Sequence, residues 1–297
     1  MRYLDFTKYE NDIYKSYGGA NGGKLSIIID GDRYMLKFPP IAKNNSQMSY
    51  SNSCISEFIS CNILKILGFN VQETILGVYK DKIVVACKDF EVDGLRLYEF
   101  AKIKNMTIDT PGYNTDIEEI LNTISWQNLI DSEELLEFFW NMFVIDSYLG
   151  NFDRHNGNWG FLIDEVNRYS KIAPIYDCGS CLFPQNTEEQ MYNILNDNRS
   201  INYRVYSQPN SAIKYNGVRI NYYEFIKDNY RNKYLNDSLN LVGNRIIENE
   251  IEINKFIDNV EYITDTHKRF IKTILSERFD KIIKPYINKS KPSILEW

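Results

Sequence analysis

The segment Gly150–Asn158 has side chains that could act on a phosphate group. It reads Gly-Asn-Phe-Asp-Arg-His-Asn-Gly-Asn and places the carboxylate of Asp153 five residues before the amide of Asn158, and a second acid, Asp177, follows in Tyr-Asp-Cys-Gly. One carboxylate can orient an accepting hydroxyl, while an amide and a second carboxylate can hold Mg²⁺. The spacing therefore indicates phosphoryl transfer. The alternative is an ordinary surface turn, because Asn, Asp and Gly also favour turns for backbone reasons.

A glycine-rich segment, Tyr17–Lys24, lies upstream of the first predicted strand and reads Tyr-Gly-Gly-Ala-Asn-Gly-Gly-Lys. Glycines let backbone N–H groups approach phosphate oxygens closely. The segment precedes a strand, so it differs from a Walker A loop, which opens a helix. It fits a lid over nucleotide phosphates, with a flexible turn as the alternative. The residues predicted to cover the phosphates are Gly18, Gly19, Gly22, Gly23 and Lys24.

Lys37 and Glu57 are a candidate ion pair between a strand and a helix. Lys37 stands between Leu36 and Phe38 in a predicted strand, so its side chain points away from theirs. If that face lines a nucleotide cleft, the ammonium can pair with the α- and β-phosphates, and otherwise it is simply solvated. Glu57 falls on the first turn of the next predicted helix. It is either the partner of Lys37 or an acid favoured near a helix N-terminus.

The composition argues against several classes of protein. Of the 297 residues, 43% are hydrophobic and 14% aromatic, which is typical of a globular protein with a large core. The net charge of −6 gives no basic footprint for nucleic acid and disfavours an anionic membrane surface. The N-terminus has no signal-peptide pattern, and no apolar run approaches the roughly 18 residues of a membrane span.

Cysteine usage predicts a reducing compartment. Five cysteines are an odd number, and a chain of this size does not need disulfides, so we expect a cytoplasmic protein, with export into a host left open. Cys178 and Cys181 form a C-x-x-C pair. No second pair or nearby histidine accompanies it, which favours coincidence over a zinc or redox site.

The first ninety-odd residues predict a small sheet with one helix. Asp30-Gly31 tolerates positive φ and therefore favours a hairpin turn. Apolar residues recur at helical spacing from Cys54 onward until Gly68 ends the pattern. The predicted strands are 25–29, 34–38, 74–79 and 83–87, and the predicted helix is 54–67.

From about residue 95 the pattern is helical. Asp131 with Glu134 resembles a capping box, and the following segment 135–149 is apolar nearly all round, so it predicts a buried helix that leads directly into Gly150–Asn158. Beyond this loop, the sequence predicts two paired strands, a polar turn between them and then only helices. The strands are 159–163 and 172–176, the turn is 164–168, and the helices include 246–260 and 267–287.

In order and approximate spacing, these parts are those of a protein kinase: a glycine-rich loop, a strand lysine, a helix glutamate, an Asp–Asn loop and a second Asp. Asp177-Cys178-Gly179 stands in the place of Asp-Phe-Gly. Over about residues 14–185 the chain resembles the HipA-like kinases, and within them the compact bacterial serine/threonine kinases. The motifs that carry the resemblance are Tyr17-Gly18-Gly19…Gly23-Lys24, Leu36-Lys37-Phe38, Ser56-Glu57-Phe58, Ala86-Cys87-Lys88-Asp89-Phe90, Asn151-Phe152-Asp153-Arg154-His155…Asn158 and Tyr176-Asp177.

The resemblance implies an α+β, protein-kinase-like fold of two lobes, a small β-rich N-lobe at 1–94 and a larger, mostly helical C-lobe at 95–297. It implies an ATP- and Mg²⁺-dependent serine/threonine protein kinase that transfers the γ-phosphate to a protein hydroxyl. Autophosphorylation is part of this expectation, with Ser16 as a candidate site. The implied partners are a protein substrate and an antitoxin or regulatory protein, without direct binding of nucleic acid or membrane.

The resemblance also implies a role for each candidate site residue. Asp153 would be the catalytic base, Asn158 and Asp177 would hold Mg²⁺, and Lys37 would bind the ATP phosphates with Glu57 as its ion-pair partner. The hinge, whose backbone groups would receive adenine, is formed after Cys87 by Lys88, Asp89 and Phe90.

The residues that follow Asp153 reverse the His-Arg-Asp order of ordinary protein kinases. His155 could hydrogen-bond near the transferring phosphate and help orient Asp153, or it could be a structural histidine bonded to the loop backbone. Arg154 could neutralise phosphate charge or brace the loop. His267, the other histidine, is predicted to lie on a polar helix face without a function.

Three other functions compete with protein phosphorylation. Asp-Arg-His-x-x-Asn is also the pattern of phosphatidylinositol-type lipid kinases, although the chain has no basic amphipathic segment for a membrane. Small-molecule phosphotransferases of the aminoglycoside type have similar catalytic spacing. A nucleotide-binding pseudokinase or scaffold is the alternative of another class, and the joint presence of Lys37, Asp153, Asn158 and Asp177 argues against it.

Overall fold

The computed structural model describes residues 4–18, 23–39 and 51–289. Gly19 and Gly22 of the glycine-rich segment lie outside these ranges. A five-stranded sheet with the order β1-β4-β5-β3-β2 occupies the first part of the chain, and all its pairs are antiparallel except β1 with β4. Its strands are β1 (Leu4–Asp5), β2 (Lys24–Ile29), β3 (Asp32–Lys37), β4 (Thr74–Tyr79) and β5 (Lys82–Lys88).

Two tight hairpins build this sheet, one at the predicted turn Asp30-Gly31 and one between the predicted strands 74–79 and 83–87. Asp30 and Gly31 have φ values of 50° and 88°, and Lys80 and Asp81 have φ values of 47° and 63°. Positive φ at both central residues is the turn geometry that matches the twist of paired strands. In the first hairpin, the register places Lys24 opposite Lys37.

Helix α1 (Ser53–Ile66) is the predicted helix after the first hairpin. It begins at Ser53, so the prediction that Glu57 lies on its first turn was wrong. It lies against β4 and β5 and ends before Gly68, whose φ is 74°. Alternate residues of β5 point to opposite faces of the sheet. Val85 and Cys87 join the large core that includes α1, while Val84 and Ala86 join a smaller core beneath the first hairpin.

A second sheet of three strands, in the order β6-β7-β8, lies next in the chain. It consists of β6 (Arg96–Glu99), β7 (Gly160–Asp164) and β8 (Tyr169–Ile172). The prediction that the pattern is helical from about residue 95 was therefore wrong at β6. The predicted partner of β7, residues 172–176, was also wrong apart from its first residue.

The turn between β7 and β8 explains that error. The Asp164 carboxylate accepts hydrogen bonds from the backbone N–H groups of Val166 and Asn167 at 3.0 Å each, so the chain reverses at once and Tyr169 pairs with Asp164. The first three residues of β8 are mostly exposed and include a serine and a lysine. A search for apolar runs therefore could not identify this strand, and it selected the more buried residues 172–176 instead.

The remaining elements are mostly helices. Helix α4 is buried along most of its length, as predicted, and Asp131 caps it by accepting from the N–H groups of Glu133 and Glu134. None of the helices in the described ranges is both long enough and apolar enough to span a membrane. The helices are α2 (Phe100–Thr107), α3 (Ile117–Trp126), α4 (Ser132–Leu149), α5 (Glu188–Leu195), α6 (Asn198–Asn202), α7 (Tyr222–Asn229), α8 (Lys233–Asp258) and α9 (Asp265–Arg278).

Two predictions for the last hundred residues need correction. A hairpin of β9 (Asn210–Tyr215) and β10 (Val218–Asn221) interrupts the helices, with Asn216-Gly217 at its turn. His267 is 6% exposed rather than on a polar face, because it lies on the side of α9 that packs into the core. Burial lowers the pKa of His267 to about 4.

Candidate active site

Lys37, Glu57 and Asp177 meet although they are far apart in the sequence. Strand β3 supplies Lys37, α1 supplies Glu57, and the segment after β8 supplies Asp177. The Lys37 Nζ atom lies 3.1 Å from Glu57 Oε2 and 3.0 Å from Asp177 Oδ1. The second oxygen of Glu57 accepts a hydrogen bond from the backbone N–H of Cys178 at 3.1 Å. These bonds tie the three elements together at one point.

The charges of this group stabilise one another. Burial opposes the charge of Lys37, but the carboxylates of Asp177 and Glu57 outweigh it and raise the pKa of Lys37 well above its ordinary value. Lys37 in turn lowers the pKa of Asp177. Burial raises the pKa of Glu57, against the opposing effect of Lys37. The result is a protonated lysine beside an ionised Asp177.

Asp177 also has an unusual backbone conformation. Its φ is 58°, in the left-handed region, which an aspartate tolerates better than most residues but still at a cost of about 1–3 kcal/mol. A Cβ atom at Gly179, two residues on, would lie only 3.1 Å from Glu57 Oε2. The Asp-Cys-Gly sequence therefore fits the close approach of this segment to α1.

Lys24 adds a second positive charge next to Lys37. The two lysines are directly opposite each other in the β2–β3 pair. Like charges in this position normally destabilise a sheet. Burial and the charge of Lys37 both lower the pKa of Lys24, and its Nζ donates to the carbonyl of Gly18 at 2.6 Å. Gly23 is exposed beside it, so this end of the hairpin presents two ammonium groups to an anion.

The loop that follows α4 is held by a buried arginine. Gly150 ends α4 with a φ of 68°. The Nε and Nη2 atoms of Arg154 bind the two carboxylate oxygens of Asp146 at 3.0 and 3.2 Å, and Nη1 donates to the carbonyls of Asn158, at 2.8 Å, and Tyr176. Of the two roles considered for Arg154, the structure favours bracing, because the side chain is only 1% exposed.

The same loop orients Asp153 and Asn158. Asn151 accepts a hydrogen bond from the Asp153 backbone N–H at 3.0 Å, and its own amide donates to Asp146 at 2.9 Å. The Asn158 side-chain nitrogen donates to the Asp153 carbonyl at 2.8 Å, which fixes the amide so that its oxygen points elsewhere. Asp153 and Asn158 are thus held in one compact turn.

The acidity of Asp153 reflects its surroundings. Burial raises the pKa of Asp153, the nearby Asp177 raises it further, and His155 and Arg219 oppose both effects. His155 itself is bonded to the loop, since its Nδ1 accepts from the Gly157 N–H at 3.0 Å. This bond supports the interpretation that His155 is a structural histidine bonded to the loop backbone. The His155 ring is also close enough to lower the pKa of Asp153.

The predicted hinge begins within β5, because Lys88 is the last residue of that strand. The Asp89 carboxylate accepts hydrogen bonds from the Tyr17 hydroxyl and the Glu91 N–H, both at 2.9 Å. Phe90 packs against Tyr176 with ring centroids 5.7 Å apart. The structure does not bring the side chain of Lys88 to the cluster at Lys37, because its ammonium pairs with Asp32 at 2.7 Å.

Sequence reasoning missed several residues that hold the site. Asp146 anchors the loop from within α4, and an acid in an otherwise apolar helix was the available signal. Tyr222 donates its hydroxyl to the Asn151 carbonyl at 2.7 Å, and no local pattern could reveal this contact across 71 residues. Tyr17 reaches Asp89 in the same way, across 72 residues.

Comparison with known proteins identifies relatives over most of the chain. The family model of the HipA-like C-terminal domain matches residues 15–231 of this sequence. The serine/threonine-protein kinase CtkA of Helicobacter pylori strain J99 is 44% identical over 286 residues, which cover 95% of this chain and 87% of that protein.

Solved structures agree with this relationship. The crystal structure of a Helicobacter pylori proinflammatory kinase CtkA matches with a TM-score of 0.90 and 43% identity, and the match covers 95% of this chain and 96% of that chain. HipA, in a complex of the Shewanella oneidensis MR-1 toxin–antitoxin system with HipB and operator DNA, matches with a TM-score of 0.55 over 91% of this chain and 65% of that one. At 12% identity, this second likeness concerns the fold alone. The fold, the matched model and the identity to CtkA together place this chain in the HipA-like C-terminal domain family.

Proposed function

We propose that this protein is a serine/threonine protein kinase that transfers the γ-phosphate of ATP to a hydroxyl of a protein substrate. The observation that carries the proposal is the meeting of Lys37, Glu57 and Asp177 at 3.0–3.1 Å, beside a braced loop that holds Asp153 and Asn158. The 44% identity to a serine/threonine-protein kinase over 95% of the chain supports the same reaction.

Asp153 is the residue that positions the accepting hydroxyl. A carboxylate within hydrogen-bond reach of the hydroxyl can orient it for in-line attack and receive its proton. The raised pKa of Asp153 makes it a better proton acceptor than an ordinary surface aspartate, since a stronger base has the higher pKa. Arg154 acts through this residue rather than on the substrate, because it is buried behind the loop.

Lys37 and Lys24 bind the phosphates. Both ammonium groups stand at the same end of the β2–β3 pair, next to the glycine-rich segment. Fixed positive charges at this place stabilise the negative charge that spreads over the phosphoryl oxygens during transfer. Adenine would be received by the carbonyl of Asp89 and the backbone of Phe90, because the Asp89 N–H already donates to the carbonyl of Arg33 at 2.8 Å.

Asn158 and Asp177 have the chemistry to hold Mg²⁺. The Asn158 amide donates through its nitrogen and so leaves its oxygen as a ligand, and Asp177 is ionised. In the described ranges, no three His, Cys, Asp or Glu side chains are grouped as a metal site. Mg²⁺ usually takes one or two protein ligands and completes its shell with phosphates and water, so one amide and one carboxylate have the right chemistry for it. When bound, the ion would neutralise charge on the β- and γ-phosphates.

The proposal includes a two-lobed arrangement. Residues 1–94 contain the five-stranded sheet and α1, which carry Lys24, Lys37 and Glu57, and residues 95–297 contain the loop of Asp153 and the segment of Asp177. In a kinase, ATP binds where two such parts face each other. An antitoxin or regulatory protein stays a prediction.

The experiment that tests this function is phosphate transfer from radiolabelled ATP to proteins of a cell lysate, followed by mass spectrometry of the phosphorylated sites. We expect phosphoserine or phosphothreonine with the wild-type protein. Asp153→Asn should reduce transfer by about 10³-fold, because it removes the base while it preserves shape. ATP affinity should stay the same. Normal transfer by this variant would contradict the assignment of Asp153, and phosphorylated lipid or small molecules alone would contradict the assignment of a protein substrate.

A further inference from the structure

The β9–β10 hairpin is fixed beside the loop that carries Asp153. Tyr222 follows β10 directly, and its hydroxyl binds the carbonyl of Asn151 at 2.7 Å. Pro209 precedes β9 and lies so close to Gly150 that a Cβ atom there would be 3.4 Å from the proline ring. Both ends of the hairpin are therefore tied to the start of the loop.

A third contact fixes the middle of the hairpin. Thr115 donates its hydroxyl to the carbonyl of Ala212 at 2.7 Å, and the backbone N–H of Lys214 donates to the carbonyl of Thr115 at 2.8 Å. The position of the hairpin relative to the loop is thus set by the contacts of both ends and of β9. A side chain on this hairpin can serve the reaction without a large rearrangement.

Two basic side chains stand next to each other on this hairpin. Lys214 and Arg219 are direct partners in the β9–β10 register, so their side chains lie on the same face. Arg219 is exposed and Lys214 is half-buried. Among the residues that the structure describes, neither forms a salt bridge. Asp116, the acid that contacts the hairpin, already accepts backbone N–H groups from Glu118 and Gly217.

This pair of positive charges lies within electrostatic reach of the reaction. Arg219 is one of the groups that oppose the effect of burial on the pKa of Asp153. The whole chain has a net charge of −6, so two neighbouring cations that form no salt bridge with a described residue are a local exception. Repulsion between them disfavours this arrangement unless an anion binds there.

We propose that Lys214 and Arg219 form a docking site for the carboxylate of an Asp or Glu that flanks the accepting residue of the protein substrate. This inference rests on the proposed function and adds to it a substrate class, serine or threonine in an acidic sequence. A guanidinium group can bind a carboxylate through two parallel hydrogen bonds, and a neighbouring ammonium strengthens the attraction. A rigid hairpin holds that contact at a constant distance from Asp153.

The experiment uses the full chain, ATP with Mg²⁺, and a peptide library with a central Ser or Thr and varied flanking residues. We expect the wild-type protein to prefer Asp or Glu over a neutral residue by about tenfold in kcat/KM at one or more flanking positions. Arg219→Gln and Lys214→Gln should each remove most of this preference through a higher KM for acidic peptides. Arg219→Glu should shift the preference toward Lys or Arg. The KM for ATP should not change in any of these variants, and Lys214→Gln, which does not affect the pKa of Asp153, should also leave the kcat for neutral peptides unchanged.

The matched control is Arg269→Gln, an exposed arginine on α9 that should preserve the acidic preference. Hydrolysis of ATP without peptide is measured in parallel. A wild-type protein without ATP turnover would refute the proposed function, and the docking site with it. ATP turnover with a flat library profile, or with no peptide phosphorylated, would refute the docking site alone. A raised KM for ATP in Arg219→Gln, with the acidic preference intact, would show that Arg219 binds a phosphate of ATP and would also overturn the proposal.

Discussion

Two carboxylate–cation pairs in this protein have the same distance between their charged atoms but different surroundings. Asp146 and Arg154 approach to 3.0 Å, and each side chain is only 1% exposed. Asp177 and Lys37 also approach to 3.0 Å, but their side chains are 44% and 15% exposed. The first pair lies inside the protein behind the loop, and the second is accessible to a ligand.

The partners of the two cations differ as well. Arg154 also binds the carbonyls of Asn158 and Tyr176, so its donors are committed to keeping the loop in shape. Among the described residues, the Lys37 ammonium binds only the carboxylates of Glu57 and Asp177, and the more exposed Asp177 could turn toward an incoming ion. A buried, fully bonded pair fixes geometry, whereas a partly exposed pair can exchange partners. The comparison therefore predicts that the first pair governs stability and the second governs activity.

The largest change in stability is expected for Asp146→Asn. The substitution keeps the shape but leaves the buried guanidinium of Arg154 without a negative partner, which should lower the free energy of unfolding by about 3–5 kcal/mol. Urea denaturation measures this change. Asp228→Asn, at an exposed position on α7, is the matched control and should change stability by less than about 0.5 kcal/mol. An equally small effect of Asp146→Asn would contradict the prediction that the buried pair of Asp146 and Arg154 governs stability.

A smaller, pH-dependent loss of stability is expected from His267. Its buried ring forms no salt bridge with a described residue, and the charge of Glu188 only partly opposes the effect of burial on its pKa. Burial lowers its pKa to about 4 in the folded protein, against 6.5 for the ordinary group. Stability from this group is therefore complete above pH 6.5 and is lost as the pH falls toward 4, because the unfolded chain takes up the proton first. The loss is about 1.4 kcal/mol per pH unit, or about 3 kcal/mol in all.

The check is the slope of the free energy of unfolding against pH, compared between the wild-type protein and His267→Gln. The variant has no titrating ring, so its curve should fall less steeply than the wild-type curve between pH 6.5 and 4. Identical slopes would mean that His267 gains a compensating partner when it is protonated. His267 would then resemble Arg154, whose burial is balanced by Asp146.

Sequence patterns predicted the elements whose formation depends on near neighbours. The turn at Asp30-Gly31, helix α1 and the buried helix α4 follow from turn residues and apolar spacing, and each was confirmed. The pairing of Lys37 with Glu57 was one of the two interpretations of Glu57, and the structure brings the two side chains together. Their roles in binding ATP stay predictions.

The errors have two different causes: contacts that no local pattern records, and a local signal that was overlooked. Strand β8 is mostly polar and exposed, and Asp146 needs Arg154 and the carbonyls around it, so both depend on contacts that no local pattern records. The β9–β10 hairpin is another matter. Asn216-Gly217 between two segments in which apolar and polar residues alternate is a strong hairpin signal, and it was overlooked among the surrounding helical patterns.

The smallest change in stability is expected for Asp177→Asn, the counterpart of Asp146→Asn. Asparagine tolerates the φ of 58° at this position, and Lys37 retains Glu57 as a partner, so the free energy of unfolding should change by less than about 1 kcal/mol. Phosphate transfer should nevertheless fall by at least about 100-fold, because an amide replaces the ionised ligand proposed for Mg²⁺. Denaturation and radiolabelled transfer, measured on the same preparations, separate the two effects. If Asp177→Asn lowered the free energy of unfolding by several kcal/mol and Asp146→Asn did not, the roles would be reversed. The pair of Asp177 and Lys37 would then govern stability, and the pair of Asp146 and Arg154 would not.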